Sequence, residues 1–365
     1  MDAPGIVPAS INCHACGAII DLGGQEGFTH IECPRCGQLS VVPLQFGNFL
    51  LLNTLGVGGV GTVYKAIDLS LNRYLGLKIL RNKPAANPQF IDNFSHEARA
   101  AASVSHPNVA QIYSFGEQAG RYYLAMELLE RGSLDDRIAQ LGKLPEKDVL
   151  DIGAQIASAL HAAQQHGLLH RDVKPGNILF NDDGVPKIVD FGLARAQTPA
   201  GEAQAPPPSG PIWGTPYYIA PEKLLGQSED LRSDIYSLGA TLFHALVGQI
   251  PFEAPTPAEA VTKPAAQPTL LLKTHTPQLQ DATVQVIGRM LARKPAERYQ
   301  TYDELIRDFK EAQAVVKRAA SAPPRVTDTG NRRAIVSRLI AVIALIACGM
   351  AIWLVWANRE RLFGR

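Results

Sequence analysis

The chain has 365 residues, of which 46% are hydrophobic, and its 35 Lys and Arg against 34 Asp and Glu give a formal net charge of +1. The length allows about two domains with tails, and the hydrophobic fraction is ample for a buried core, which excludes a wholly disordered chain. The balanced charge argues against a protein that mainly coats nucleic acid, and the five cysteines are too few for a disulfide scaffold.

Four of the five cysteines form two C-x-x-C pairs near the start of the chain: Cys13, Cys16, Cys33 and Cys36. Two thiolates three residues apart can hold one metal ion from a tight turn, and two such pairs complete a tetrahedral shell of four sulfurs. A redox dithiol or ordinary free thiols are the alternatives, but a redox motif needs only one pair. The spacing therefore predicts a structural Zn²⁺ site held by these four cysteines.

Residues 1–46 resemble the small zinc ribbons found at the N-termini of many bacterial proteins. The resemblance implies a module that folds around its metal, because so short a stretch cannot bury a sufficient core alone. The module carries four acidic residues against one arginine: Asp2, Asp21, Glu26, Glu32 and Arg35. This charge matches nucleic acid poorly, so we expect a protein contact or a regulatory role and no nucleic-acid partner.

A glycine-rich stretch lies near the start of the next segment, residues 47–312. It contains G-x-G-x-x-G at Gly56, Gly58 and Gly61, a pattern that also opens a helix in dinucleotide-binding folds. Thr-Val-Tyr-Lys-Ala follows at 62–66, and its β-branched and aromatic residues favour a strand. The sequence therefore predicts a hairpin whose glycines let backbone N–H groups approach phosphates.

Three further motifs follow Lys78 in the chain: His170-Arg-Asp-Val-Lys-Pro-Gly-Asn177, Asp190-Phe-Gly192, and Gly214-Thr-Pro-Tyr-Tyr-Ile-Ala-Pro-Glu222. With these motifs in this order, residues 47–312 resemble the eukaryotic-type protein kinases, and Lys174 is typical of the Ser/Thr class. The resemblance implies an α+β fold with two lobes, a β-rich N-lobe and a helical C-lobe. A cytoplasmic kinase domain with one membrane span is predicted below for this chain, and this arrangement is similar to that of bacterial receptor-like Ser/Thr kinases.

The resemblance also implies the chemistry of the site, with ATP and Mg²⁺, or Mn²⁺, as cofactors and Ser or Thr hydroxyls of proteins as acceptors. Asp172 would orient the hydroxyl and accept its proton. Asn177 and Asp190 would supply oxygen ligands to the metal ion. Lys78 would hold the α- and β-phosphates, and Lys174 would neutralise the γ-phosphate.

The nucleotide site is placed by the same resemblance. Glu97 matches the helix glutamate that pairs with Lys78 in the family, with a solvated surface carboxylate as the alternative. Met126 would be the gatekeeper. The residues expected around ATP are those of the glycine-rich stretch, the connection between the lobes and an apolar sandwich: Leu55, Gly56, Val57, Gly58, Gly59, Val60, Gly61, Val63, Met126, Glu127, Leu129 and Leu179.

Two residues depart from the usual pattern of the family. Gly76 stands where the family usually has alanine, which loosens the roof of the adenine site and lowers the β-propensity. Val60 replaces an aromatic residue often found at the tip of the glycine-rich loop, which weakens the shielding of the phosphates. Neither change removes a catalytic group.

Other matches concern structure and regulation. Asp234 resembles the aspartate that braces the catalytic loop, and Arg298 resembles the arginine that pairs with Glu222. Arg171 resembles the arginine that often binds a phosphate on the activation segment, which runs from Asp190 to Glu222. Such a phosphate would order the segment through charge-assisted pairs.

The activation segment contains a Pro-, Ala- and Gly-rich loop at 196–212, whose composition resists helix and strand. Its hydroxyl residues Thr198 and Ser209 are candidate autophosphorylation sites. Thr215 is expected to serve the hydrogen-bond network of the catalytic site instead.

An uncharged apolar run at 339–357 follows a basic linker at 313–338 and precedes a short tail at 358–365. As a helix the run would span about 28 Å, close to the hydrocarbon thickness of a bilayer. A buried core helix is the alternative, but such a helix normally keeps a polar stripe. The sequence therefore predicts a transmembrane helix over 339–357.

The basic residues around this run predict its orientation. Six precede it and three follow it: Lys317, Arg318, Arg325, Arg332, Arg333, Arg338, and then Arg359, Arg361 and Arg365. The positive-inside bias therefore places residues 1–338 in the cytoplasm of a single-pass cell-membrane protein. Because the tail is too short for a sensor domain, we expect the signal to come from a membrane-protein partner, from the ribbon or from homodimer formation.

Two other functions compete with a Ser/Thr protein kinase. The first is a pseudokinase scaffold, which binds nucleotide and partners without catalysis. Retention of Lys78, Asp172, Asn177 and Asp190 argues against it. The second is a small-molecule or lipid kinase, against which the segment at 214–222 argues, because in the family it shapes a peptide-docking platform.

Overall fold

The structure, a computed structural model, describes residues 5–81, 88–191, 216–251, 268–321 and 331–357. The chain divides into two compact units, Met1–Lys317 and Arg318–Arg365. Several predictions fall outside the described residues, namely those for the loop at 196–212 with Thr198 and Ser209, for Thr215 and for the tail at 358–365.

The first four strands form two antiparallel hairpins, one for each cysteine pair: β1 Ser10–Asn12, β2 Ile19–Asp21, β3 His30–Glu32 and β4 Leu39–Val41. Each hairpin turn contains a glycine in the left-handed region, Gly17 at φ 72° and Gly37 at φ 71°. The Gly17 N–H donates to the Cys13 carbonyl at 2.8 Å, and the Gly37 N–H donates to the Cys33 carbonyl at 2.9 Å. Glycine suits both turns because it adopts this conformation without strain, and the two hairpins share one geometry.

A six-stranded antiparallel sheet follows, in the order β5-β6-β7-β8-β10-β9. Its strands are β5 Leu44–Phe46, β6 Phe49–Val57, β7 Gly61–Asp68, β8 Arg73–Leu80, β9 Ile112–Gln118 and β10 Arg121–Met126. The sequence assigns residues 44–46 to the ribbon, whereas in the structure Leu44 pairs with Leu51 and Phe46 with Phe49. Because β6 satisfies the backbone of β5, these residues belong to the sheet.

The two faces of this sheet contribute to different clusters. On the face that carries Tyr64, which we call the ribbon face, the buried residues are Leu44, Phe46, Phe49, Leu51, Tyr64, Ala66, Leu75, Leu77, Ile79 and Ala125, and Val7 and Phe28 pack against them. The second cluster joins the sheet to helix α1, Pro88–Ala102, through Val60, Leu80, Ile91, Phe94, Ala98 and Leu124. Both faces of the sheet are therefore covered by other parts of the chain.

The second lobe is helical. Its helices are α2 Leu134–Leu141, α3 Glu146–Gln165, α4 Pro221–Leu224, α5 Leu231–Val247, α6 Pro268–His275, α7 Asp281–Met290 and α8 Tyr302–Ser321. A hairpin of β11 Ile178–Phe180 and β12 Pro186–Ile188 completes it, with 3-10 turns at Pro175–Asn177, Pro216–Tyr218 and Pro295–Glu297.

Helix α5 forms the centre of this lobe, since residues 233–243 are all buried and a helix that is buried all round lies in a core. Asp230 caps its N-terminus, where the Asp230 side chain accepts the Arg232 N–H at 2.9 Å, and Gly248 caps its C-terminus with φ 78°. A β-rich lobe and a helical lobe around α5 confirm the two-lobe fold predicted for residues 47–312.

Helix α9 runs from Asn331 to Ala357 and covers the segment predicted to cross a membrane, 339–357. The side chains described in it, at 340–354, are exposed. Within the part of the chain that the structure describes, no helix is both long enough and apolar enough for a membrane span. The predicted transmembrane helix is therefore without support from the structure.

Candidate active site

The loop from His170 to Asn177 gathers polar groups around the carboxylate of Asp172. Lys174 Nζ lies 2.7 Å from Asp172 Oδ2. Asn177 Nδ2 donates to the same oxygen at 3.0 Å and to the Asp172 carbonyl at 2.8 Å. The Asp172 side chain is 43% exposed, so the structure brings three of the predicted catalytic residues together around one accessible carboxylate.

Asp234 of α5 contacts this loop where the sequence predicts a brace. Its Oδ2 accepts the His170 N–H and its Oδ1 accepts the Arg171 N–H, both at 2.7 Å. Burial raises the pKa of Asp234, against the opposing effect of His170 and of the two amide groups. Arg171 has φ 65°, a left-handed conformation that costs a non-glycine residue about 1–2 kcal/mol, and the bond to Asp234 holds it there.

Lys78 of β8 and Asp190 meet at the cleft between the lobes. Lys78 Nζ lies 2.8 Å from Asp190 Oδ2, and the lysine side chain is buried. Burial would raise the pKa of Asp190, but the charge and hydrogen bond of Lys78 outweigh it and hold that pKa below its ordinary value. The site therefore contains the ionised Asp190 carboxylate beside Lys78 Nζ.

The sequence predicts an ion pair between Glu97 and Lys78, and the structure places the Glu97 carboxylate near Arg171. Glu97 Oε1 lies 3.8 Å from Arg171 Nη1. Lys78 has Asp190 as a close carboxylate neighbour, so the pairing of Lys78 with Glu97 stays a prediction.

Arg171 has a second carboxylate neighbour that the sequence analysis missed. Its Nε lies 4.0 Å from Glu229 Oε2, and Lys223 Nζ lies 3.1 Å from Glu229 Oε1. Lys223 also donates to the Arg171 carbonyl at 2.8 Å. This network links helix α1, the catalytic loop and the segment before α5. No motif marks Glu229, so only the fold reveals the link.

The glycine-rich stretch forms the hairpin that the sequence predicts, with strand β7 after it and not a helix. The Gly58 N–H donates to the Gly61 carbonyl at 2.9 Å across the turn. A Cβ at Gly61 would collide with the carbonyl of Ile79, which explains the glycine at this position. Exposed residues of the loop are Leu55, Gly56, Val57, Gly58 and Gly59.

Val60 differs from the rest of the loop, since its side chain is 9% exposed and packs in the cluster with Phe94 of α1. The sequence places Val60 with the phosphate-shielding tip, whereas the structure turns it into the core. The reason is that burying an apolar side chain in the core is favourable, whereas placing it over a charged ligand is not.

The connection between the lobes carries the other expected adenine contacts. Met126 and Leu129 are buried, and Val63 and Leu179 are half-buried. The carboxylate of Glu127 accepts from Lys187 Nζ at 3.0 Å and from the Gln111 N–H at 3.1 Å. This side chain is therefore fixed, and the Glu127 N–H donates to the Gln111 carbonyl at 2.8 Å. Adenine contacts by the backbone of 127–129 stay a prediction.

Glu222 and Arg298 form the buried pair that the sequence predicts. Arg298 Nη1 and Nη2 donate to the two carboxylate oxygens at 2.7 and 2.8 Å, and Ser233 Oγ donates at 2.6 Å. Burial would raise the pKa of Glu222, but the hydrogen bonds from Arg298 and Ser233 outweigh it and hold that pKa below its ordinary value.

The four N-terminal cysteines lie together, with their sulfur atoms all within 4.8 Å of one another. The Sγ–Sγ distances are 3.7 Å for Cys13 and Cys36 and 3.6 Å for Cys16 and Cys33. A tetrahedral site with Zn–S bonds near 2.3 Å requires about 3.8 Å between sulfurs. The chemistry of the four sulfur donors and these two distances therefore suit a Zn²⁺ ion.

Comparison with known proteins matches this geometry to a family. The protein kinase domain family matches residues 49–309. The chain is 35% identical over 266 residues to the serine/threonine-protein kinase PrkC of Bacillus subtilis, and this alignment covers 73% of the chain and 40% of PrkC. It is 36% identical over 288 residues to PknA of Mycobacterium tuberculosis, covering 78% of the chain and 64% of that relative. The chain thus spans less than two thirds of the length of either relative.

A solved structure supports the same relationship. The crystal structure of the Mycobacterium tuberculosis PknI kinase domain is 28% identical, with a TM-score of 0.58 over 74% of this chain and 97% of that domain. The family match covers most of the chain and contains the catalytic loop, Lys78, Asp190 and the pair of Glu222 with Arg298. The chain therefore belongs to the protein kinase family.

Proposed function

We propose that this chain is a serine/threonine protein kinase, which transfers the γ-phosphate of ATP to Ser or Thr hydroxyls of proteins. The observation that carries the proposal is the convergence of Lys174 and Asn177 on the accessible Asp172 carboxylate. The Ser/Thr class rests on Lys174 and on the names of the relatives PrkC and PknA. Phosphoryl transfer depends mainly on such positioning and on neutralised charge.

Each of these residues has a part in the reaction. The hydroxyl oxygen of the substrate bonds to the γ-phosphorus, the bond to the β–γ bridging oxygen breaks, and the hydroxyl proton passes to Asp172. Asn177 Nδ2 keeps the carboxylate in one orientation. Lys174 brings a positive charge next to that carboxylate, where negative charge on the γ-phosphate has to be neutralised.

The oxygen donors of the site suit Mg²⁺, a hard cation that prefers carboxylate and amide oxygens. Asp190 offers an ionised carboxylate, and Asn177 uses its Nδ2 on Asp172, which leaves its Oδ1 for a cation. When bound, Mg²⁺ neutralises the phosphate oxygens. Lys78 exchanges Asp190 for the α- and β-phosphates when the nucleotide binds.

The test measures transfer from γ-labelled ATP with Mg²⁺ by the full chain, onto itself and onto a generic basic protein. We expect Asp172→Asn to lower the rate by about 10²–10⁴-fold, because the general base is lost. Asp303→Asn is the matched control, since Asp303 is an exposed residue of α8, and it should retain the wild-type rate. Equal rates for wild type and Asp172→Asn would contradict the proposal.

A second measurement distinguishes the kinase from the rival function, a pseudokinase scaffold. ATP binding to the wild-type chain is measured by calorimetry beside the transfer assay. Binding together with transfer supports the kinase. Binding without transfer, with or without membranes present, supports the scaffold.

Autophosphorylation of the activation segment is part of the proposal, and Thr198 and Ser209 are the expected sites. Arg171 supports it, because its guanidinium lies 3.8 Å from Glu97 and 4.0 Å from Glu229, which are long distances for ion pairs. A phosphate would make shorter, charge-assisted bonds. Mass spectrometry of the active chain tests this, and an active chain without phosphate in the segment would contradict it.

The four-cysteine cluster is proposed to hold one structural Zn²⁺. The sulfur distances support a closed tetrahedral site, which leaves no ligand position for water. We expect the purified chain to contain one zinc per molecule and Cys13→Ser to lose it, whereas Cys348→Ser, outside the cluster, should retain it. Atomic emission measures the metal content, and zinc-free wild type would contradict the site.

Attachment to the cell membrane, with residues 1–338 on the cytoplasmic side, remains a proposal from the sequence. It rests on the uncharged run at 339–357 and its flanking arginines. We expect the chain to stay with membranes after alkaline extraction and Ile346→Asp to release it. Leu141→Asp, which changes an exposed residue at the end of α2, should not release it. Release of the wild-type chain would contradict the proposal. Protein substrates are proposed because the chain belongs to the protein kinase family, and a homodimer or a membrane-protein partner is proposed from the sequence alone.

A further inference from the structure

The ribbon and the sheet of the first lobe share an apolar contact, which we call the ribbon joint: Val7, Gly27, Phe28, Leu44 and Tyr64. Val7 packs in both the ribbon core and the sheet core. The rings of Phe28 and Tyr64 are stacked, with centroids 5.9 Å apart and 20° between their planes. Gly27 approaches Leu44 so closely that a Cβ would collide with it. The ribbon is therefore packed onto the sheet and not merely tethered to it.

Phe28 has a conformation that depends on the folded ribbon. Its φ of 67° lies in the left-handed region, which a non-glycine residue keeps only when its surroundings hold it. Its N–H donates to the Val42 carbonyl at 2.7 Å, and the Val42 N–H donates to the Thr29 carbonyl at 2.8 Å. Val42 lies in the same small core as Cys13 and Cys33, so the position of the Phe28 ring follows the state of that core.

The state of that core in turn depends on the cysteines. Each ribbon strand has three residues. The ribbon core has five buried residues, of which two are cysteines of the cluster: Cys13, Ile20, Leu22, Cys33 and Val42. So small a core does not fold without further stabilisation, and metal binding supplies it. Loss of the metal would therefore unfold the hairpins and release Phe28 from Tyr64.

Tyr64 is next to the ATP site in the sheet. In the β7–β8 ladder Val63 lies opposite Lys78, and Tyr64 lies opposite Leu77. Successive side chains of a strand point to opposite faces, so Tyr64 lies on the ribbon face while Val63 and Lys78 lie on the other. Strand β7 directly follows the glycine-rich turn, so any shift of Tyr64 reaches Val63, Lys78 and that turn.

We propose that Zn²⁺ occupancy of the four-cysteine cluster sets the ATP affinity of the kinase domain through the stacking of Phe28 on Tyr64. The proposal rests on the zinc site proposed above. The ribbon is then a regulatory element that makes the kinase responsive to the metal. Because coupling between two binding sites is reciprocal, bound ATP also increases the zinc affinity of the cluster.

The test uses the full chain loaded with one Zn²⁺, with metal content measured by atomic emission. Calorimetry gives the Kd for ATP in the presence of Mg²⁺ in three states: loaded, after removal of zinc by a zinc-selective chelator and dialysis, and after zinc is restored. We expect the Kd to rise about tenfold on removal and to recover on restoration, which lies within the usual range of coupling between sites.

Phe28→Gly tests whether the coupling passes through the ring of Phe28. Glycine keeps the left-handed backbone without strain and removes only the ring, so the variant should still bind one zinc. We expect its Kd for ATP to change less than twofold on zinc removal. Tyr64→Leu is the second variant, and its Kd for ATP should likewise change less than twofold on zinc removal. Cys348→Ser is the matched control, whose Kd for ATP should rise on zinc removal as that of the wild type does.

The outcomes separate the two proposals. A wild-type chain that contains one zinc but has the same Kd for ATP with and without it overturns the coupling, and the zinc site stands. A wild-type chain that binds no zinc overturns the zinc site itself. Full zinc dependence of the Kd in both ring variants overturns the route through Phe28.

Discussion

Two residues of this chain have nearly the same strained backbone, held by different forces. Arg171 of the catalytic loop has φ 65°, and Phe28 of the ribbon has φ 67°. The Arg171 N–H donates to the buried carboxylate of Asp234 at 2.7 Å. Phe28 is held by its hydrogen bond to Val42 and by the ring of Tyr64. One strained residue is thus fixed by buried charge and the other mainly by apolar packing.

This difference shows how each region should fail. In the helical lobe, removing one partner of a buried charged pair leaves the other without compensation, which is costly. In the ribbon joint, removing atoms reduces buried apolar area, and the cost grows with the area lost. We therefore expect abrupt losses in the helical lobe and graded losses at the ribbon joint.

Arg298→Met should have the largest effect, because it breaks a fully buried pair. The Glu222 carboxylate would keep Ser233 as its partner, and we expect a loss of about 3–5 kcal/mol in the free energy of unfolding. Urea denaturation measures it. Arg307→Met is the matched control, since the Arg307 side chain is 63% exposed, and it should stay within about 0.5 kcal/mol.

A second substitution sharpens this result. Adding Glu222→Leu to Arg298→Met removes the orphaned carboxylate, and it should recover part of the lost stability. If Arg298→Met cost no more than Arg307→Met, the helical lobe would not depend on its buried charge.

Lowering the pH should reduce the stability that the pair of Glu222 and Arg298 contributes. The pKa of Glu222 in the folded chain lies below its ordinary value of 4.5, so its contribution to stability is complete above that value and is lost as the pH falls through the folded pKa. We expect the stability difference between wild type and Glu222→Gln to be largest at pH 7 and to shrink below pH ~4. Urea midpoints across this range measure it, and a difference independent of pH would contradict it.

At the ribbon joint, two substitutions of Phe28 should separate packing from strain. Phe28→Ala removes the half-buried ring, and we expect a loss of about 1–2 kcal/mol. Phe28→Gly also removes the ring but relieves the left-handed strain, so it should be about 1 kcal/mol more stable than the alanine variant. Thermal unfolding compares them.

The control for this pair is Phe115 of β9, whose backbone is not left-handed. There the order should reverse, with Phe115→Ala more stable than Phe115→Gly. The same order at both positions would contradict the strain assigned to Phe28.

Gly76→Ala should have the smallest effect and the opposite sign. Gly76 lies outside the left-handed region, and a Cβ there would be 3.5 Å from Met126 Cγ, an ordinary contact. Alanine should therefore stabilise the chain by about 0.4–1 kcal/mol, mainly by reducing the entropy of the unfolded state. Gly61→Ala, which would collide with Ile79, is the contrasting variant, and a stabilised Gly61→Ala would contradict this steric assignment.

Local patterns predicted much of the fold and the site. The glycine-rich hairpin and the cysteine pairs are short-range features, because spacing along the chain fixes their geometry. The motif around Asp172 likewise places Lys174 and Asn177 on the same loop. Residues close in sequence can thus be assigned from sequence, as can the distant pair of Glu222 and Arg298, which two motifs mark.

Contacts that depend on packing could not be predicted. Nothing in the sequence around Val60 indicates that its side chain turns toward Phe94. The approach of Glu97 to Arg171 depends on where helix α1 lies, which no local pattern indicates. The stacking of Phe28 on Tyr64 joins residues 36 positions apart in the sequence, and no motif contains Phe28 or links the two.

The outer edge of the sheet carries a practical consequence. Strand β5 is an edge strand, and residue Ile6 closes it with two backbone hydrogen bonds to Gln45, at 3.1 and 2.7 Å. Unpaired edges and bare apolar faces promote strand-to-strand aggregation. Cutting the chain at residue 46 to obtain a bare kinase domain would remove β5 and the ribbon together, exposing β6 and the ring of Tyr64. We therefore expect a fragment that begins before the cysteines to aggregate less in expression and crystallisation than one that begins at residue 47.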